Sequence, residues 1–174
     1  AIKYARESQV PFLGICLGMQ LACVEFARNV LDLPGADSTE FSPNAKDAII
    51  DQMASQVNCQ RKGGTMRLGS YPCRLVEASM AKRLYGKKEI SERHRHRYEF
   101  NNHYRSLFED KGWRFSGLSP DSSRVEIVEL EDHPWFLACQ FHPELVSKPM
   151  KGHPLFEDIV AVAQKIKNGR QESC

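Results

Sequence analysis

A short apolar segment that runs into a cysteine and then into a helical pattern constrains the fold of this chain most strongly. Residues 12–15 (FLGI) are apolar, and Cys16 follows them between Gly14 and Gly18. Beyond Gly18, apolar side chains recur at helical spacing, at Met19, Leu21, Ala22, Val24, Phe26, Ala27, Val30 and Leu31. The pattern predicts a buried strand that stops at Cys16 and a helix that begins directly after it, as in an α/β fold.

The position of Cys16 indicates a reactive thiol. A cysteine in an apolar stretch is most often a small buried side chain, which is how we interpret Cys23 and Cys139. Cys16 differs because it stands at a sharp strand-to-helix turn, the geometry of the nucleophile elbow in hydrolases. Gly14 and Gly18 would let backbone pack closely on either side of it, and the start of a helix favours a thiolate. We therefore predict that Cys16 is a nucleophile.

A histidine far along the chain has the features of a partner base. His142 follows residues 135–141, an apolar run that predicts a second buried strand. It would then lie just beyond the carboxyl end of a strand, where α/β sheets place their sites. Glu144, two residues on, is suited to orient the imidazole. The other His-Pro pairs, at His133 and His153, are interpreted as surface turns.

Composition excludes several classes of function. The chain has 174 residues, 41% hydrophobic and 26% charged, which predicts one globular domain. A net charge of +2 favours neither nucleic-acid nor membrane binding. No apolar run approaches the roughly 20 residues that span a bilayer, and no signal peptide is visible. Six scattered cysteines without a C-x-x-C pair predict reduced thiols and a cytoplasmic protein.

Neither a metal site nor a nucleotide-binding loop is predicted. Cys139 and His142 have C-x-x-H spacing and His94 and His96 form H-x-H, but neither has a matching second pair. The glycine pair within residues 62–65 (KGGT) lacks the phosphate-loop pattern.

The remaining pattern predicts a helix tail over 1–7, helices up to about 33 and over 80–84, 102–110 and 155–167, and strands over 67–77, 113–118, 125–130 and 135–141. Residues 35–64 show no clear periodicity, and a stretch of this length is usually functional or mobile. An α/β fold with a parallel core and a later antiparallel portion follows from this order.

Five segments, in the same order, make the chain similar to a known family. It resembles the class I, triad-type glutamine amidotransferases, and within them the C-terminal part of the amidotransferase domain of CTP synthases. The segments are PFLGICLGMQ (11–20), DSTEF (37–41), GGTMRLG (63–69), ERHRHRYEFN (92–101) and QFHPE (140–144). GICLG and FHPE fit many amidotransferases, whereas the three middle segments are more specific. The resemblance covers essentially the whole chain, 1–174.

The resemblance implies a fold and a set of roles. The fold would be doubly wound and flavodoxin-like, with a mostly parallel central sheet and an antiparallel portion. Cys16 would attack the side-chain amide of glutamine, His142 would be the acid/base and Glu144 its partner. The Leu17 backbone N–H would be an oxyanion-hole donor. Residues that hold the substrate's amino and carboxylate ends would be Gln20, Glu40, Arg97 and Tyr98.

The resemblance also implies what the whole protein does. Ammonia from glutamine would serve the ATP-dependent amination of UTP to CTP in an amidoligase domain. This chain would hold no cofactor, whereas the whole enzyme would use ATP and Mg²⁺, with GTP as activator, as a homotetramer. Two alternatives stay open: the glutaminase domain of another class I amidotransferase, and a non-catalytic remnant that serves as an assembly module. The ammonia acceptor separates the first from the main interpretation, and a glutaminase assay separates the second.

The family's domain has a further N-terminal half, with early strands and a Gly-Gly-Phe-Gly loop that donates a second oxyanion-hole N–H. We expect that half and the amidoligase domain to lie outside residues 1–174. The strand that ends at Ile15 would then have an open apolar edge, which invites intermolecular pairing. Residues 1–174 alone are expected to be poorly soluble and inactive, since loss of one oxyanion donor costs about 100- to 1000-fold in rate.

Overall fold

The computed structural model describes residues 1–52 and 66–171. Its helices are α1 (Ile2–Glu7), α2 (Leu17–Asn29), α3 (Met80–Tyr85), α4 (Arg105–Glu109) and α5 (Pro154–Gln171), with 3-10 turns at Asn102–Tyr104 and Pro143–Leu145. Its strands are β1 (Phe12–Ile15), β2 (Ala36–Ser38), β3 (Asp47–Gln52), β4 (Arg67–Leu75), β5 (Glu89–His96), β6 (Tyr98–Phe100), β7 (Trp113–Leu118), β8 (Val125–Leu130) and β9 (Phe136–Cys139).

The described strands form two mixed sheets. The larger has six strands in the order β1-β9-β8-β7-β4-β5, and the smaller has the order β2-β3-β6. Within the described residues, β1 pairs with β9 and β2 pairs with β3 in parallel, and the other pairs are antiparallel. The prediction of an α/β fold with a parallel and an antiparallel portion is confirmed.

Apolar layers cover both faces of the larger sheet. On one face, Phe26 of α2 lies in one apolar cluster with Ile49 of the smaller sheet and Phe108 of α4. On the other face, α3 and α5 pack against the sheet through Ala81 and Leu155. Strand β9 feeds both layers, because Phe136 and Ala138 point to the first and Leu137 and Cys139 to the second. This two-sided burial explains the uninterrupted apolar run that predicted the strand.

Several boundaries differ from the sequence-based expectation. Helix α2 ends at Asn29 and not near Leu33, and its C-cap N–H at Val30 bonds Phe26 O. Strands β2 and β3 lie in the stretch for which no element was expected. Helix α2 covers apolar residues of both strands, and neither strand shows a regular alternation of apolar and polar residues in the sequence. Residues 53–65, which include the glycine pair of the GGTMRLG segment, lie outside the described residues.

Two histidines expected in surface turns are buried. His133 is 6% exposed, and its ring nitrogens contact Ala5 O at 3.0 Å and Trp135 N at 3.1 Å. His153 is 5% exposed, with its Nε2 3.0 Å from Glu92 Oε1. The surface interpretation was wrong because local His-Pro chemistry does not reveal which partners the fold supplies. None of the helices within 1–52 and 66–171 is long and apolar enough to cross a bilayer.

The two glycines that flank Cys16 have different roles. A Cβ on Gly14 would stand 2.8 Å from Ala138 Cβ and 2.9 Å from the Gly18 carbonyl carbon. A Cβ on Gly18 would meet no heavy atom within 4 Å. The close approach of β1, β9 and the start of α2 therefore depends on Gly14, whereas Gly18 meets no such restriction in the described residues.

Substitution of these glycines tests that distinction. Gly14→Ala should lower the free energy of unfolding by about 1–3 kcal/mol, because the backbone of β1 and α2 must move apart. Gly18→Ala should be neutral or slightly stabilising, since alanine favours a helix by up to about 1 kcal/mol over glycine. Urea unfolding of both variants in the full-length protein measures the difference. Equal loss of stability in the two would contradict the close-packing argument.

Candidate active site

Cys16 occupies a strained turn between β1 and α2. Its φ of 50° and ψ of −102° place a non-glycine residue in a region that costs energy. The surrounding backbone holds it there: Cys16 N–H donates to Cys139 O at 2.7 Å, and Cys16 O accepts from Met19 N at 3.1 Å. Backbone strain at a nucleophile position is typical of functional turns. The strand-to-helix turn that the sequence predicted is present.

Parallel pairing brings the two distant motifs together. Ile15 pairs with Cys139 in the β1–β9 register, so Cys16 and Gln140 follow adjacent carboxyl ends. The chain beyond β9 is then tied to β5, since His142 N–H donates to Arg93 O at 2.8 Å. Strand β5 stands at the far edge of the sheet from β1. The sheet must therefore curl, and the curl closes the site.

His142 and Glu144 form a short contact. The His142 Nδ1 lies 2.6 Å from Glu144 Oε1, and a carboxylate accepts, so Nδ1 carries the proton and donates. The Nε2 atom is buried and has no hydrogen-bond partner among the described residues. In this tautomer Nε2 presents a lone pair. The geometry thus gives a histidine that is oriented by a carboxylate and able to accept a proton.

Burial raises the pKa of Cys16, and its neighbours act in both directions. The Leu17 backbone N–H and the Gln140 amide lower the pKa, while the charges of Glu144 and Glu40 raise it further. The helix start acts in the predicted direction, but burial outweighs it. The thiol therefore keeps its proton near neutral pH, and its attack on a substrate requires a base that takes the proton.

A cleft of 230 Å³ opens at the sulfur. It is lined by Cys16 and by all five residues predicted to bind substrate, Leu17, Gln20, Glu40, Arg97 and Tyr98. Four further residues line it that sequence reasoning had not assigned, Phe41, Met66, Arg95 and His96. Each of the four lies inside one of the five quoted segments, which was the available signal. The lining combines an acidic residue, Glu40, with two basic residues, Arg95 and Arg97, a combination that suits a zwitterionic amino acid.

Gln20 is positioned differently from a simple ligand-binding side chain. It is 3% exposed. Its amide nitrogen donates to Tyr98 O at 3.0 Å and to Gln140 Oε1 at 3.2 Å. Both amide hydrogens are thus used within the protein, and only Oε1 is left to face a ligand. Gln20 can therefore accept a hydrogen bond from a substrate but cannot donate one.

Two histidines of the HRH segment are buried, and one of them, His96, also lines the cleft. Burial lowers the pKa of His94 to about 2 and that of His96 to about 4, so both rings are neutral at pH 7. His96 Nδ1 donates to Tyr98 O at 2.9 Å, because a carbonyl only accepts, and His94 Nδ1 then donates to His96 Nε2 at 3.1 Å. Along the same strand, the side chains of Arg93 and Arg95 are exposed, whereas those of the two histidines are buried.

A buried ion pair lies beside His94 of β5. Arg67 and Glu126 form two contacts, at 2.7 and 3.0 Å, with Glu126 fully buried. His94 Nδ1 lies 3.7 Å from the same carboxylate. Among the residues that the structure describes, no group of three His, Cys, Asp or Glu side chains could hold a metal ion.

The chain belongs to the class I glutamine amidotransferase family. The model of that family, Glutamine amidotransferase class-I, matches residues 1–162. The chain is 58% identical over 171 residues to CTP synthase of Chlorobaculum tepidum, covering 98% of this chain and 30% of that protein. It is 60% identical over 160 residues to CTP synthase of Bacillus cytotoxicus, covering 92% of this chain and 30% of the relative. The chain thus spans about a third of the length of these relatives.

Two solved structures have a similar fold. The glutaminase domain of Trypanosoma brucei CTPS with bound acivicin superposes with a TM-score of 0.87 at 35% identity, covering 94% of this chain and 64% of that one. A putative GMP synthase subunit from Thermoplasma acidophilum has a TM-score of 0.61 at 18% identity over 98% of this chain and 65% of its own. The second likeness is one of fold alone.

Selective labelling tests the assignment of the nucleophile. A glutamine-like electrophile such as a diazo-ketone should modify Cys16 and not Cys23, Cys73 or Cys139, which are 0% exposed and whose pKa values burial raises. The rate should rise with pH, because the raised pKa of Cys16 keeps the thiolate a minor form near neutrality. Mass spectrometry of the labelled full-length protein measures both effects. Adducts on a buried cysteine with Cys16 unmodified would contradict the assignment.

Proposed function

We propose that this chain is the part of a CTP synthase that hydrolyses the side-chain amide of glutamine and supplies the ammonia with which UTP is converted to CTP. The observation that carries the proposal is that Cys16, at a strained turn beside a cleft, and the ordered His142–Glu144 pair follow the carboxyl ends of two adjacent parallel strands. The 55–60% identity to curated CTP synthases supports this acceptor over those of other amidotransferases.

Charge complementarity supports glutamine as the substrate. The cleft places the carboxylate of Glu40 and the guanidinium of Arg97 on its walls. Glu40 would bind the α-ammonium group, and Arg97 the α-carboxylate, in charge-assisted hydrogen bonds. Gln20 Oε1, which can only accept, would take a second hydrogen from the ammonium group. Tyr98 would complete the wall. The side-chain amide would then extend toward the sulfur.

The first chemical step would form a thioester. His142 Nε2 takes the Cys16 proton as Sγ attacks the amide carbon of glutamine, and the carbonyl oxygen becomes an oxyanion. The Leu17 backbone N–H would donate to that oxyanion. The imidazolium then gives its proton to the departing nitrogen. The C–N bond breaks, ammonia leaves, and a glutamyl thioester remains on Cys16.

The second step would release glutamate. Water attacks the thioester carbon while His142 Nε2 accepts one of its protons. The C–S bond breaks, the thiolate takes the proton back, and the thiol of Cys16 is restored. Throughout, Glu144 holds the ring in one tautomer and stabilises the imidazolium. Each turnover consumes one water and one glutamine and yields one glutamate and one ammonia.

The whole protein would add parts that this chain does not supply. We propose an amidoligase domain that uses ATP and Mg²⁺ to activate UTP, with GTP as activator, in a homotetramer. The domain that contains residues 1–174 would be completed by a further N-terminal half with a glycine-loop N–H. The steps above pass through none of these groups.

Replacing the nucleophile should separate the two half-reactions. In the full-length protein, Cys16→Ala should reduce glutamine-dependent CTP formation by at least about 1000-fold. Formation of CTP from UTP, ATP and an ammonium salt should be unchanged, since the thiol only liberates ammonia. Cys23→Ala, at a buried cysteine of helix α2, is the control and should keep both activities. Equal loss of both activities in Cys16→Ala would refute the division of labour.

The histidine and its carboxylate should differ in importance. His142→Ala should reduce glutaminase kcat by about 1000-fold or more, because the ring transfers protons directly. Glu144→Ala should cost roughly tenfold less, since the carboxylate acts through the ring. Glutaminase assays at matched amounts of folded protein, judged by circular dichroism, give the comparison. If Glu144→Ala were as damaging as His142→Ala, an orienting role would be too weak a description.

A further inference from the structure

Gln140 contacts the nucleophile, and nothing above gives it a function. It follows β9 and is 0% exposed. Its amide nitrogen lies 3.6 Å from Cys16 Sγ, a normal distance for a hydrogen bond to sulfur. Its backbone N–H is fixed by Glu126 O at 2.8 Å. A buried amide that is anchored in the backbone and faces the sulfur costs free energy to bury unless its polar groups are used.

The orientation of the Gln140 amide is set by the Tyr98 carbonyl, to which it is connected through Gln20. Tyr98 O can only accept, so the end of Gln20 that lies 3.0 Å from it must be the amide nitrogen. The second hydrogen of that nitrogen then meets the neighbouring oxygen of Gln140, at 3.2 Å. Gln140 must therefore turn its own nitrogen toward Cys16. If the Gln140 amide were flipped, its N–H groups would face those of Gln20, and its oxygen lone pair would face the sulfur.

We propose that Gln140 is a positioning residue for the glutaminase reaction, which donates a hydrogen bond to Cys16 Sγ, and that Gln20 fixes the direction of that bond. The inference rests on the proposed function. It gives Gln20 a second duty besides contact with substrate, because the side chain that faces the cleft also keeps the donor aimed at the sulfur.

This hydrogen bond matters because the surroundings of the sulfur otherwise favour the neutral thiol. Burial and the charges of Glu144 and Glu40 raise the pKa of Cys16, and Gln140 and the Leu17 N–H oppose them. Other charged or titratable residues around the cleft and the turn come from β5 and β6, from the residue between them, and from the end of β9 and the loop after it: Arg95, His96, Arg97, Tyr98, Cys139 and His142. A neutral donor in this setting stabilises the thiolate that forms during attack without binding the substrate itself.

Two variants of similar size to Gln140 distinguish the loss of its hydrogen-bond donor from a change in side-chain shape. Gln140→Glu keeps an oxygen for Gln20 but presents an oxygen to the sulfur, whereas Gln140→Met keeps the length and removes both polar groups. In the full-length protein, alkylation of Cys16 by iodoacetamide is followed against pH by mass spectrometry of its peptide. The midpoint should move up by about one pH unit or more in Gln140→Glu and by less in Gln140→Met. At a pH below the midpoint, a shift of about one unit makes the alkylation of Cys16 about tenfold slower.

The plateau rate at high pH distinguishes positioning from folding. Both variants should reach the wild-type plateau once the thiol is ionised, and glutaminase kcat at neutral pH should fall about tenfold with KM little changed. Gln20→Met should also raise the midpoint, because the Gln140 amide is then free to turn. Wild-type midpoints in both Gln140 variants, or lowered plateaus with unshifted midpoints, would overturn the inference. A wild-type protein without glutaminase activity would refute the proposed function, while the alkylation profiles would still decide the role of Gln140.

Discussion

The parallel pairing of β1 with β9 is the interaction on which the site depends. Its register sets Ile15 opposite Cys139, so the residues that follow each strand emerge side by side. One strand delivers Cys16 and the other delivers Gln140 and His142, although more than a hundred residues separate them in sequence. Gly14 permits the approach, because any side chain there would meet Ala138. A strained cysteine is held in this turn by the same backbone contact, Cys16 N–H to Cys139 O.

Curling of the larger sheet supplies the rest of the cleft. Strand β5 is five positions away from β1 in the sheet order. Nevertheless, Arg93 O accepts a hydrogen bond from the His142 backbone N–H, and Arg95 O accepts one from the Cys16 thiol at 3.9 Å. Antiparallel strands of high twist make such closure possible. As a consequence, Cys16 comes from the parallel portion and the guanidinium of Arg97 comes from the end of the antiparallel portion.

A polar network behind the cleft makes this geometry rigid. Hydrogen bonds run from His94 through His96 to Tyr98 O, and from there through Gln20 and Gln140 to the sulfur. Such a network stabilises one arrangement only when its donors and acceptors are matched. Here a single carbonyl that can only accept decides the orientation of both amides. The neutral state of both histidines follows from burial and keeps extra positive charge away from the cleft.

The sequence by itself determined the strand-to-helix turn at Cys16, the apolar strand before His142 and, through the resemblance, six of the residues that line the cleft, because these depend on local periodicity and on recognisable segments. It did not reveal β2 and β3, since α2 supplies their burial, nor the buried state of His94, His96, His133 and His153, whose partners lie far away in sequence. The direction of the Gln140 amide and the raised pKa of Cys16 were likewise decided only by tertiary structure, because both depend on burial and on groups brought together by the curl of the sheet.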